Sequence, residues 1–117
     1  MRVIENPKSI SLYDAAGAVI VIKHATEGHD ITEWKLVTML KQFYYPRMEK
    51  THDNNRAVYN INKALESAKA LVEDRDWEIL CEEIKKPVTE KDIHPGVMSQ
   101  FYPWMKLILE APEAKVT

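Results

Sequence analysis

Apolar residues along this chain are spaced by two near the start and by three and four afterwards. In "SISLY", Ser9 and Ser11 alternate with Ile10 and Leu12, the period of a half-buried strand. "DAAG" follows from Asp14 to Gly17, with an Asp that can bond the backbone ahead of it and a Gly that accepts positive φ. "AVIVIK" then supplies β-branched residues for a second strand. The pattern predicts an N-terminal β-hairpin. Val19 to Ile22 are four apolar residues in a row, and strand side chains point alternately to opposite faces. Both faces of this strand are therefore apolar. Helices of the same chain can cover one; the other calls for a further layer or a second subunit. "MRVI", ended by Pro7, adds a short edge strand to this expectation.

From Asp30 the spacing becomes helical. Asp30 and Glu33 form a D-x-x-E capping pattern. Trp34, Val37, Leu40 and Tyr44, and also Leu36, Met39 and Phe43, recur over a broad arc, which predicts a largely buried helix ended by Pro46. A polar stretch separates it from a second helix that begins near Asp53 or Asn54. There Val58, Ile61, Leu65, Ala68 and Leu71 mark the apolar face. "EDRD" breaks the pattern, with Asp76 as the expected N-cap of a helix carrying Trp77, Leu80, Cys81 and Ile84 on one stripe and ended by Pro87. The segment "VTEKDIHPG" reads as a connection with one turn of helix capped by Thr89. Last comes "SQFYPWMKLILEAPE". Val97, Phe101, Trp104, Met105 and Ile108 form a stripe, and Pro103 either starts a helix or kinks one. Trp34, Leu65, Trp77 and Leu80 are expected in the core. Tyr102, Leu107 and Leu109 project off the stripe.

The fold class that follows is α+β: a hairpin followed by three or four helices. A chain of 117 residues is of single-domain size, so residues 1–117 are expected to form one globular domain. With 45% hydrophobic and 29% charged residues it can build one core. Sixteen basic against eighteen acidic residues leave a formal charge of −2, which gives no electrostatic case for nonspecific binding to nucleic acid or membrane. The lone Cys81 excludes an intrachain disulfide and fits a reducing compartment. "MRVIENPKSI" lacks the apolar core of a signal peptide, and "AAGAVIVI" is too short to cross a bilayer. A cytoplasmic protein is expected.

Candidate chemistry changes this picture little. His24 and His29 flank Glu27 and precede Asp30, while His52 and His94 stand alone; none has the spacing of a zinc site. Cys81 lies on an apolar stripe, where a thiol behaves as a small hydrophobe. The pairs Glu82/Glu83, Asp74/Asp76 and Glu110/Glu113 flank helices and lack a partner that would single one out. Gly17, Gly28 and Gly96 are too scattered to cradle a phosphate. No catalytic, cofactor-binding or metal-binding residue is assigned. Between Tyr44 and Arg56, Tyr45, Arg47, Lys50 and His52 interleave aromatic and basic character, but Glu49 and Asp53 dilute it.

The expectation is a small, non-catalytic accessory protein of a style common among phage-encoded and mobile-element proteins. It would self-associate or dock on a larger protein, through Val19, Val21, Tyr102, Leu107 and Leu109. The alternative is a nucleic-acid-binding regulator using the Tyr44–Arg56 region, and the second alternative an enzyme without a recognisable motif.

Overall fold

The turn "DAAG" forms by side-chain capture of its own backbone. Asp14 Oδ1 accepts from the N–H groups of Ala16 and Ala18, both at 2.9 Å, and Gly17 takes a φ of +84°. In the computed structural model, which describes residues 1–24, 27–88 and 94–114, this turn opens a short antiparallel meander. Ile20 N–H donates to Leu12 O at 2.8 Å, and Tyr13 lies opposite Val19. The strand then changes partner: β2 (Ile22–Lys23) pairs with β3 (Asp30–Ile31). The fold is α+β, built on one core.

β1 (Arg2–Glu5) is the strand expected from "MRVI", but it does not extend the hairpin. It pairs antiparallel with β4 (Lys69–Val72), with Arg2 opposite Val72 and Glu5 opposite Lys69. Those β4 residues correct the expected second helix, which the spacing of Leu65, Ala68 and Leu71 carried too far. α2 spans His52–Ala64, and a tightened turn closes it, Glu66 N–H reaching Lys63 O. Beyond that turn the burial period is two: Ala70 and Val72 are buried, Lys69 and Leu71 exposed. On the other side of β1, Val3 N–H donates to Pro112 O at 2.9 Å and Ala114 N–H to Met1 O at 2.8 Å.

The first helix begins later than the Asp30/Glu33 capping pattern implies. The backbone of Asp30 is committed to the ladder with Lys23, and Trp34 exchanges both backbone bonds with Ile10 at 2.7 and 2.8 Å. Glu33 accepts from the Ser9 hydroxyl instead of capping. α1 (Leu36–Met39) follows with Lys35 as N-cap, widens to a π-helical turn over Leu40–Tyr44, and tightens to a 3-10 turn over Tyr45–Arg47 that contains Pro46.

Thr51 caps α2, its hydroxyl accepting from Asn54 N–H at 3.1 Å. α3 (Asp74–Lys85) starts two residues before the expected cap; Glu73 holds the N-cap position, and Asp76 is fully buried within the first turn. The turn expected at Thr89 lies outside the described residues. α4 (Pro95–Met98), a 3-10 turn (Ser99–Phe101) and α5 (Tyr102–Leu109) form one helical path. Pro103 sits in the first turn of α5, where its missing N–H has no intrahelical acceptor to lose.

Phe101, Trp104 and Ile108 face inward as their spacing predicts. Trp34 stacks on Phe43 and meets Phe101 edge-on, each at 5.4 Å between ring centres. Trp34, Leu65 and Leu80 are buried, whereas Trp77 is only half-buried. Its indole N–H donates to Ile108 O at 2.7 Å, and the Arg2 guanidinium lies 4.1 Å above its ring.

Candidate interaction surface

The four apolar residues Val19–Ile22 alternate in burial. Ile20 and Ile22 pack against the core, while Val19 and Val21 are 47% and 55% exposed. No element among the described residues covers the outer side. Hydrogen-bonded and non-bonded pairs alternate along an antiparallel ladder. Here the bonds fall on Asp14/Ala18 and Leu12/Ile20, so Tyr13/Val19 is a non-bonded pair, whose side chains approach closest. Tyr13 is 49% exposed. Tyr13, Val19 and Val21 thus make an apolar stripe across the outside of the hairpin, held on a turn that Asp14 and Gly17 fix.

A non-bonded pair leaves its backbone groups pointing sideways. Those of Tyr13 are taken by one side chain: Gln100 Nε2 donates to Tyr13 O at 2.8 Å, and Gln100 Oε1 accepts from Tyr13 N–H at 3.0 Å. The amide imitates a neighbouring strand and ties the helical path after Pro95 to the hairpin. An open cleft of about 500 Å³ lies at this junction, lined by Tyr13, Asp14, His94, Gly96, Val97 and Gln100. Sequence reasoning passes over Gln100, because a glutamine between Val97 and Phe101 carries no motif.

The five residues expected at an interface divide. Val19 and Val21 lie on the hairpin stripe, and Tyr102 stands exposed at the start of α5. Leu107 and Leu109 are half-buried and pack against the core, although the helical projection turns them away from the main stripe.

The other candidate groups are used inside the fold. Tyr44 is buried, and burial raises the pKa of its hydroxyl, partly countered by Arg47. Arg47 closes the C-terminal end of α3: its Nε lies 2.6 Å from Glu83 Oε1, and its other nitrogens donate to the carbonyls of Glu83, Lys86 and Pro87. Arg56 bridges Asp53 at 2.8 Å and Asp76 at 3.1 Å, while Asn60 donates to the second Asp76 oxygen at 3.0 Å. Both arginines of the Tyr44–Arg56 region therefore have internal carboxylate partners.

His24 and His29 stack at 4.8 Å, with Glu27 N–H donating to His24 Nδ1 and the Glu27 carboxylate 3.3 Å from His29. Among the described residues no group of three or more His, Cys, Asp or Glu is placed to hold a metal ion. Cys81 is buried, and burial is the main cause raising its thiol pKa, which disfavours the reactive thiolate. The carboxylate pairs separate: Asp74 is exposed and Asp76 buried, Glu82 exposed and Glu83 buried, and Glu110 and Glu113 meet Lys106 and Arg2 respectively. No helix among the described residues is long and apolar enough to cross a membrane.

Comparison of the chain with protein-family models, with curated proteins and with solved structures finds no match in any of the three.

Proposed function

We propose that this protein is a small non-catalytic accessory protein of the cytoplasm that works by protein–protein contact, with the outer face of the hairpin as its contact surface. One observation carries the reading: Tyr13, Val19 and Val21 form a cross-strand apolar stripe on the solvent side of a turn fixed by Asp14. Aromatic and apolar side chains without charge at their centre are the composition of interface cores. Tyr102 offers a further exposed anchor on α5. The surface is preorganised. Gln100 locks the backbone of Tyr13, so the stripe needs little ordering when a partner covers it.

The test is the double substitution Val19→Asp with Val21→Asp. Both positions are exposed and outside the core, so the melting temperature is expected to hold within a few degrees. Binding of a defined partner protein, followed by titration calorimetry, is expected to fall. A folded double variant that binds that partner as tightly as the parent does would remove the hairpin from consideration.

A further inference from the structure

The β1–β4 sheet has two edges, and the described residues close only one. On the β1 side, residues 112–114 run antiparallel to the strand, with Arg2 opposite Glu113. On the β4 side, the ladder itself decides which groups are free. Asn6 N–H donates to Ala68 O at 2.8 Å, whereas Val3 N–H turns away from β4 to Pro112 O. Alternation along the ladder then puts the β1–β4 bonds on Ile4/Ala70 and Arg2/Val72, and leaves Val3/Leu71 and Glu5/Lys69 as non-bonded pairs. The N–H and C=O of Lys69 and Leu71 therefore point outward from the sheet. Neither makes a hydrogen bond outside the ladder to any described residue. Both residues are exposed, Leu71 at 52%.

Two residues spaced by two, each presenting a donor and an acceptor on one side, are complementary to their own copy. We infer that β4 is a self-pairing edge, through which two copies of this chain join antiparallel about a two-fold axis at Ala70. In that register Lys69 lies opposite the partner's Leu71, and Leu71 opposite the partner's Lys69. Two residues on each copy, each giving one N–H, make four backbone bonds, and the two small sheets become one. The interface closes on itself, as a two-fold contact must.

The side chains suit this register. A lysine on a short edge strand ordinarily guards against pairing. Here no lysine meets a lysine; the aliphatic stem of Lys69 lies along the partner's Leu71. Ala70 meets Ala70 on the side that faces the core, where a methyl group leaves room. The contact uses none of the hairpin residues, so it stands or falls separately from the function proposed above.

The experiment is light scattering of the full chain across concentration, joined to amide hydrogen exchange. The wild-type mass is expected to rise toward twice 13.6 kDa, with the Lys69 and Leu71 amides exchanging at least about tenfold more slowly in the concentrated sample. Leu71→Pro removes an N–H that the intrachain ladder does not use, and an edge strand tolerates proline there; a folded monomer is expected. Leu71→Lys places lysine opposite Lys69 across the axis and is also expected to be a folded monomer. Val19→Asp with Val21→Asp is expected to keep the dimer. If Leu71→Pro does not fold, Leu71→Lys decides. A wild-type chain that stays monomeric with fast exchange at Lys69 and Leu71 overturns the inference, and so does a dimer that survives Leu71→Lys.

Discussion

Two edge strands of this molecule end in opposite ways. At the hairpin, the outward backbone groups of Tyr13 are taken by the Gln100 amide, 3.0 and 2.8 Å away. At β4, the corresponding groups of Lys69 and Leu71 have no protein partner among the described residues. Both sites are solvent-exposed, so solvation alone does not separate them. The difference lies in what the helices present. The helical path after Pro95 passes the hairpin with a long polar side chain at the right height, while β4 faces outward beside the exposed Ser67, Ala68 and Glu73. The comparison teaches that an edge needs no strand to close it. One amide side chain supplies both the donor and the acceptor that a strand residue would bring.

Removing what both edges rest on has the largest expected effect. Trp104→Ala empties an aromatic position beside Phe101 and is expected to cost about 3–5 kcal/mol in denaturant unfolding. A loss below about 1 kcal/mol would mean that α5 does not close the core. Asp76→Ala comes next. It strips the shared carboxylate from Arg56 and Asn60, which ties α2 to α3, with an expected loss of about 2–4 kcal/mol.

The closed edge is broken by Gln100→Ala, at about 1–2 kcal/mol, since the freed groups of Tyr13 can reach water. Exchange of the Tyr13 amide is expected to accelerate while that of Leu71 stays as it was. Unchanged exchange at Tyr13 would show that the clamp does not hold in solution. Smallest of all is the effect of Val19→Asp or Val21→Asp on stability, each within about 0.5 kcal/mol, measured by the same unfolding curves.

Much of this fold is legible in local pattern, where local chemistry decides. "DAAG" encodes its turn through Asp14, and the spacing of Phe101, Trp104 and Ile108 gives the inward face of the last helix. Reading fails where a distant partner decides. Residues 69–72 carry a helical spacing through Leu65, Ala68 and Leu71, yet β1 claims them as a strand. Asp30 and Glu33 have the residues of a capping box, but the ladder with Lys23 and the Ser9 hydroxyl use them first.

Exposure of apolar residues is legible on the hairpin and less so on the last helix. Val19 and Val21 follow from an unbroken apolar run on a strand. Leu107 and Leu109 are half-buried against the core, which a projection of one helix cannot show because the neighbours that half-cover it lie elsewhere in the chain. Gln100 and Asp76 were invisible, since each matters only through residues far along the chain.

The path of β1 also has a consequence in time. The hairpin joins residues a few positions apart and can form in about 1–10 μs. β1 must wait for β4 and for residues 111–114; its Arg2 bonds a carbonyl 109 positions away. Long loops close late, and topology of this kind slows folding. Until β1 arrives, β4 is a strand with both sides bare. A strand that waits for a partner so far along the chain stays open to a neighbouring chain while it waits, and a charged residue at its head, as Lys69 is here, is the kind of guard such a strand needs.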